Sequence, residues 1–177
     1  SSAADGKTST KWFEDGILSS GHAELLLTLE APAQVASYQL YTANDVPARD
    51  PVSWRLERQE DDGTYVVLSS VSGFVPPDAR GAAYKAPRFL VPAPSPDPPP
   101  PQPVEPPPSS PVPPVPPPSP PGSHFYQFEF TYTRKNTGIV ELSEVYLYDA
   151  AGTQLEIISA TNPGGNNLGS VPDQARD

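Results

Sequence analysis

His124-Phe125-Tyr126-Gln127-Phe128-Glu129-Phe130-Thr131-Tyr132-Thr133 alternates aromatic and polar side chains, with Tyr126, Phe128, Phe130 and Tyr132 on one side and Gln127, Glu129 and Thr131 on the other. A period of two marks a strand with one buried face and one wet face. The same grammar, short runs of Val, Leu, Tyr and Phe between Gly, Pro, Asn and Asp clusters, predicts strands at residues 23–29, 34–42, 53–59, 64–70, 84–90, 124–133, 139–149 and 154–159. Asp61-Asp62-Gly63 separates two of these runs and reads as a hairpin turn, because glycine tolerates the positive φ such turns require. No helix is convincing. The best candidate, residues 21–30, carries Leu25, Leu26, Leu27 and Leu29 without a polar stripe at helical spacing, and Pro32 follows it. These runs predict an all-β protein, an antiparallel β-sandwich or jelly roll of about eight strands.

The rest of the composition falls into two parts. Of 27 prolines in 177 residues, nineteen lie between Pro92 and Pro121, leaving a body of 147 ordinary residues, enough for one hydrophobic core or two small ones. A segment this rich in proline cannot join a sheet, since proline donates no backbone hydrogen bond, so residues 92–121 are expected to form polyproline II. Fully extended, such a segment spans roughly 90 Å. The strands flanking it read as neighbours in one discontinuous domain, 1–91 with 122–177, so the tract is expected to run out and back, turning near Ser109-Ser110. The alternative is a linker between two domains, with only 56 residues left for the second.

Several classes are disfavoured by composition. The absence of Cys removes disulfide scaffolds, thiol catalysis and thiolate metal sites. A net charge of −10, with 11 scattered basic residues, argues against nucleic acid and anionic membrane surfaces and leaves cations or neutral glycans as partners. No run approaches the ~20 apolar residues of a membrane span, and the first twenty residues lack a signal-peptide pattern. A chain that starts at Ser1 without Met reads as a mature form or an excerpt.

Asp5-Gly6-Lys7-Thr8-Ser9-Thr10-Lys11-Trp12, Tyr38-Gln39-Leu40-Tyr41-Thr42-Ala43-Asn44-Asp45 and Arg49-Asp50-Pro51-Val52-Ser53-Trp54-Arg55-Leu56-Glu57 resemble blocks of the discoidin or coagulation-factor type C family, as do Phe125-Tyr126-Gln127-Phe128 and Val140-Glu141-Leu142-Ser143-Glu144-Val145-Tyr146-Leu147-Tyr148. The matches run in family order over most of the body. The resemblance implies a galactose-binding-like jelly-roll β-sandwich. Two features depart from the family: the proline insertion, and the lack of an opening strand before Ser1. Leu155-Glu156-Ile157-Ile158-Ser159-Ala160-Thr161-Asn162-Pro163 is similar to that opening strand, as if the chain were in a permuted frame. The C-terminal strand is then expected either to close its own sandwich or to fill the gap in the next copy, head to tail.

The family resemblance also implies a structural calcium ion, held by the side chains of Asp5, Thr10 and Glu144 and by backbone carbonyls of Ser2, Lys7, Thr10 and Ser143. Carboxylate, hydroxyl and carbonyl oxygens suit a hard divalent cation. The alternative is an ordinary turn at Asp5 and an exposed Glu144. Trp12 and Trp54 invite a sugar-stacking reading, but both stand at family-core positions and core is the expectation. Arg49 and Asp50 are expected to pair with each other around a proline turn. Tyr41, Tyr65 and Tyr84 are possible rim contacts for a ligand, while His22 and His124 are lone residues without a spacing that selects them. No nucleophile elbow, phosphate loop or His-pair metal motif occurs, so no enzyme is expected.

The chain has no Asn-x-Ser/Thr sequon. The tract itself is similar in composition to hydroxyproline-rich glycoproteins of plant and green-algal walls and flagellar surfaces. That resemblance implies O-glycans at Ser95, Pro96, Pro98, Pro99, Pro100, Pro101, Pro106, Pro107, Pro108, Ser109, Ser110, Pro113, Pro114, Pro116, Pro117, Pro118 and Ser119. An unmodified spacer, or a ligand for domains that grip Pro-x-x-Pro, is the alternative. The leading functional expectation is an extracellular structural glycoprotein module that assembles head to tail with copies of itself into a filament or surface layer. The second is a calcium-stabilised carbohydrate-binding module with a proline-rich spacer. The third is a recognition module whose tract recruits an adaptor.

Overall fold

The computed structural model describes residues 3–92 and 122–163. In chain order the elements are β1 (Trp12–Glu14), α1 (Ile17–Ser20), β2 (Ala23–Ala33), β3 (Ser37–Tyr41), a 3-10 turn (Pro47–Arg49), β4 (Pro51–Gln59), β5 (Tyr65–Val71), β6 (Phe89–Leu90), β7 (Ser123–Thr133), β8 (Val140–Leu142), β9 (Glu144–Tyr148) and β10 (Ile157–Thr161). Strand β7, the run quoted first, is the centre of a five-stranded antiparallel sheet in the order β10-β2-β7-β4-β5. A three-stranded sheet, β6-β3-β9, packs across it, and β1 and β8 pair at one end. The chain is all-β as expected, and among the described residues α1 amounts to one short helical turn.

Periodicity explains why residues 21–30 make a strand. Ala23, Leu25, Leu27 and Leu29 are buried while the residues between them are not, so the inward period is two and not 3.6. They meet Tyr126, Phe128 and Phe130 of β7, Leu56 of β4 and Leu40, Val145 and Leu147 of the small sheet in one core. Each of these large side chains contributes about 1.5–3 kcal/mol by leaving water. Residues from both sides of the proline tract therefore fill the same core.

The alternation of β7 breaks where it was expected to continue. Between the pairs Trp54↔Phe130 and Ser53↔Tyr132 the β7 strand carries one extra residue, and the register shifts again before Pro51↔Thr133. This bulge turns Tyr132 out to 48% exposure and brings Thr133 inward.

Other boundaries differ for physical reasons. The run 84–90 reduces to β6, because Pro87 cannot donate to a ladder and Tyr84 joins β3 through one bond, its N–H to the Leu40 carbonyl at 2.8 Å. The run 139–149 divides at Ser143, whose N–H and Oγ turn to the carbonyls of Tyr41 and Thr42, so that β8 pairs with β1 and β9 with β3. The Asp61-Asp62-Gly63 turn forms as expected, with Gly63 at φ 84° and Asp62 Oδ1 accepting from the Thr64 N–H at 2.9 Å.

Of the two arrangements foreseen for the C-terminal strand, the fold shows the internal one. Strand β10 pairs antiparallel with β2 of its own sheet, Thr161 opposite Leu26 and Ala160 opposite Leu27. Residues 93–121, which carry the expected polyproline II arm, lie outside the described residues.

Candidate functional site

Strand directions sort the loops into two groups. Residues 5–11, 42–50, 72–82 and 134–139 gather at one end, where β4 starts, β7 finishes and Tyr41 pairs with Glu144. The turn at 60–64, the 149–153 turn and the described residues Pro92 and Gly122 that flank the proline tract lie at the other, where Gln59 pairs with Tyr65, Ser37 with Leu90 and Ala33 with Ser123.

At the loop end, four of the expected metal-site residues converge. Asp5 Oδ1 and Glu144 Oε1 both accept from the Lys7 backbone N–H, at 2.9 and 2.8 Å. Thr10 Oγ1 lies 2.9 Å from each Asp5 carboxylate oxygen and 2.9 Å from the Lys7 carbonyl. One hydroxyl hydrogen cannot serve three acceptors. Glu144 is fully buried, and its Oε2 has no hydrogen-bond donor. The cluster is thus rich in oxygen and poor in protons, the condition that a divalent cation relieves.

Electrostatics point the same way. Burial first, and the facing Asp5 carboxyl second, push Glu144 up to about 7. Burial would also raise Asp5, but hydrogen bonds from Glu144, Thr10 and the Lys7 N–H outweigh it and hold Asp5 below its ordinary value. Of the two carboxyls, Glu144 is therefore the one that more readily takes a proton. Ser143 sits beside Glu144 with its hydroxyl donated to Thr42, and Ser2 lies outside the described residues. Among the described residues no group of three or more His, Cys, Asp and Glu is placed to hold a metal. A cation at this site would therefore depend on the hydroxyl and carbonyl oxygens as much as on the two carboxylates.

Two further ion-pair networks brace the same loops. Asp50, fully buried, receives Arg80 through both carboxylate oxygens at 2.8 Å and Arg134 at 3.1 Å. Arg49 instead bonds the fully buried Glu141 at 2.7 Å, so the expected Arg49–Asp50 pair does not form. The two residues are adjacent in sequence, and the chain leaving the 3-10 turn sends them to different partners. Lys11 joins Glu141 at 3.2 Å and also bonds Asp45. Burial, then the Asp45 carboxyl, raises Glu141 from its ordinary value against the pull of Arg49 and Lys11. Sequence reasoning missed Glu141, although its place between Val140 and Leu142 in an apolar run was a signal for a buried charge.

The aromatic candidates divide cleanly. Trp12 and Trp54 are buried core residues, as expected; Trp54 Nε1 donates to the Tyr38 hydroxyl at 3.0 Å. Tyr84 is buried between Trp54 and Phe74 and is no rim contact. Tyr65 is exposed at the tract end, and Tyr41 is half-buried, edge-on to Tyr146. His22 meets Glu24 at 3.4 Å, and His124 Nδ1 lies 3.2 Å from the Leu29 carbonyl. The glycosylation candidates from Ser95 to Ser119 all lie outside the described residues.

No family model matches the chain. No curated protein matches it either. Among solved structures, Clostridium perfringens CpGH89CBM32-5, in complex with GalNAc-β-1,3-galactose, is similar over 88% of this chain and 81% of its own, at 12% identity and a TM-score of 0.52. The F5/8 type C domain of a Bacteroides fragilis protein aligns over 84% and 78% at 16% identity and a TM-score of 0.49. The family 32 carbohydrate-binding module of Streptococcus pneumoniae EndoD aligns over 84% and 83% at 11% identity and a TM-score of 0.47. The fold is the discoidin-like, galactose-binding-like β-sandwich that the sequence blocks implied. No helix among the described residues is long and apolar enough to cross a membrane.

Proposed function

We propose that this chain is a non-catalytic carbohydrate-binding module whose loop end is pinned by a calcium ion. The observation that carries the reading is the shared fold with the C. perfringens module, whose structure holds a disaccharide. A net charge of −10 does not repel neutral sugars, and the loop end is braced by ion pairs to the buried Glu141 and Asp50. Asp5, Thr10, Glu144 and the Lys7 carbonyl would hold the ion. Bound there, calcium supplies charge neutralisation between two facing carboxylates and no chemistry on a substrate. Titration with GalNAc-β-1,3-galactose and related neutral disaccharides, in millimolar calcium, tests the reading: saturable binding supports it, and no heat with any glycan on a broad array overturns it.

A second reading follows from the tract. An extracellular structural glycoprotein, tiled head to tail with its copies and bearing an O-glycosylated proline arm, is favoured by the nineteen prolines of residues 92–121, whose flanking strands β6 and β7 meet the tract at the end opposite the Asp5 loop. Since β10 is paired internally, any such assembly would use surface contacts and not an exchanged strand. An intact mass equal to the sequence mass rejects the glycosylated arm, and native material without filaments under the electron microscope rejects the assembly.

A further inference from the structure

Trp54 and Leu56 of β4 and Tyr126, Phe128 and Phe130 of β7 point into the core, so their alternate neighbours face away from it on the outer side of the five-stranded sheet. In the middle of that outer face Glu57 of β4 stands opposite Gln127 of β7, with Val67 of β5 on its other side. Glu57 and Gln127 are only 8% and 7% exposed. Each holds oxygen without a donor. Arg55 Nε, at 3.7 Å from Glu57 Oε1, is beyond hydrogen-bond distance, and no donor among the described residues reaches the Glu57 carboxylate. Gln127 donates its Nε2 to Glu24 Oε1 at 3.1 Å, while its Oε1 accepts from no described residue. Polar oxygens sunk this deep ordinarily have partners, so two side by side call for a ligand that brings donors.

Aromatic rings flank the pair. Tyr65, opposite Gln59 at the near end of β5, is 38% exposed, and Phe125, two residues before Gln127 on the same face, is 48% exposed. Strand β4 lies between β5 and β7, so the backbones carrying the two rings stand about 9.5 Å apart, two inter-strand steps. Burial first, then Glu24 and Glu57, raise Tyr65 from its ordinary value, which places its hydroxyl in the field of the same patch.

We infer that this outer face binds a neutral glycan chain, with Glu57 and Gln127 accepting from sugar hydroxyls and Tyr65 and Phe125 packing against the apolar faces of the sugar rings. The inference rests on the carbohydrate-binding reading above and locates the ligand on the sheet, away from the loop end. Three features select a neutral sugar. The free groups are acceptors, and a sugar offers hydroxyl donors around its rim. Exposed rings border the polar pair, matching a ligand with both an apolar face and a polar edge. Acidic sugars are disfavoured, because Glu24, Glu57 and Glu129 face outward together and Arg55 is already held by Glu129 at 2.6 Å. The separation of the two rings favours a chain of several sugars over a short one.

Amide shift mapping of the isotope-labelled full chain with cellohexaose, xylohexaose and β-1,4-galactohexaose tests the placement. Saturable shifts are expected at Glu57, Tyr65, Val67, Phe125 and Gln127, and the bound hexaose should bind about tenfold more tightly than GalNAc-β-1,3-galactose, which is too short to engage both rings. Tyr65→Ala and Phe125→Ala, both at exposed positions, should each weaken the hexaose about tenfold with little change in melting temperature, and Leu90→Ala on the other sheet should leave affinity unchanged. Shifts confined to residues 5–11, 42–50, 72–82 and 134–139 would put the sugar at the loop end, overturning this inference and leaving the carbohydrate-binding reading intact. Wild-type affinity in both aromatic variants overturns it as well. No shift with any of these sugars also overturns it, and the glycan array decides separately for the reading beneath it. Shifts at the same sheet residues with hexa-arginine and with none of the sugars would make the face a basic-peptide site, again against the inference.

Discussion

Asp5 and Glu144 share one backbone proton: the Lys7 N–H donates to Asp5 Oδ1 at 2.9 Å and to Glu144 Oε1 at 2.8 Å, tying the first loop to the start of β9. Two carboxyl groups converging on a single donor, one of them buried, make the loop sensitive both to protons and to cations.

The pH dependence follows from the Glu144 shift. Its folded value of about 7 stands above the ordinary 4.5, so between those values the folded state holds a proton that the unfolded state has lost. Stability of the calcium-free protein should therefore fall as pH rises from about 4.5 to 7, by roughly 3 kcal/mol if no other group compensates. Millimolar calcium should raise the melting temperature, more at pH 8 than at pH 5.5, and its binding near pH 6.5 should release close to one proton. Thermal melts across pH, with calorimetry in buffers of different ionisation enthalpy, check both statements. Glu144→Gln should abolish the calcium effect and flatten this part of the pH profile.

Asp50→Ala leaves Arg80 and Arg134 facing an empty site where a buried carboxylate stood. Breaking a buried pair in this way costs about 3–5 kcal/mol. Arg55→Ala, which removes a 43% exposed partner of Glu129, should cost less than about 1 kcal/mol. Urea unfolding with matched m-values separates the two cases.

Gly122 marks the return of the chain from the proline tract to β7. A Cβ there would lie 2.7–2.8 Å from the backbone of Ala33, which cannot retreat without disturbing the Ala33↔Ser123 pair. Gly122→Ala should destabilise the sandwich by about 1–3 kcal/mol. Gly152→Ala, where the nearest atom is the end of the Arg88 side chain at 3.9 Å, tests only the cost of φ 82° and should lose less. Chemical denaturation of the two variants gives the comparison.

Tyr38→Phe removes the acceptor of the Trp54 Nε1–H and a contact to Ser69 Oγ. A buried indole left without a partner should cost about 1–3 kcal/mol. The Trp54 emission should also change, since its polar neighbour is gone, and tryptophan fluorescence during the unfolding titration reads both effects.

Much of this architecture was legible because its signals are local. Alternation at Tyr126, Phe128 and Phe130 and at Leu25, Leu27 and Leu29 announces buried strand faces, and Asp62-Gly63 announces its turn, since each depends on residues within a few positions. The oxygen cluster at Asp5, Lys7, Thr10 and Glu144 came from family resemblance, and no spacing rule could have joined residues so far apart in the chain. The expected Arg49–Asp50 pair did not form because adjacency in sequence sets neither side chain's direction.

The sequence by itself determined a sandwich of alternating strands and, through its resemblance to a family, a core that includes both tryptophans. Tertiary structure alone decided that β10 closes its own sheet beside β2, that a bulge near Thr131 turns Tyr132 outward, and that Asp50 answers to Arg80 and Arg134. The reason is the same in each case. Periodicity and turn chemistry act over a few residues, whereas register, strand order and buried charge partners are chosen by competition among contacts from distant parts of the chain once the core has closed.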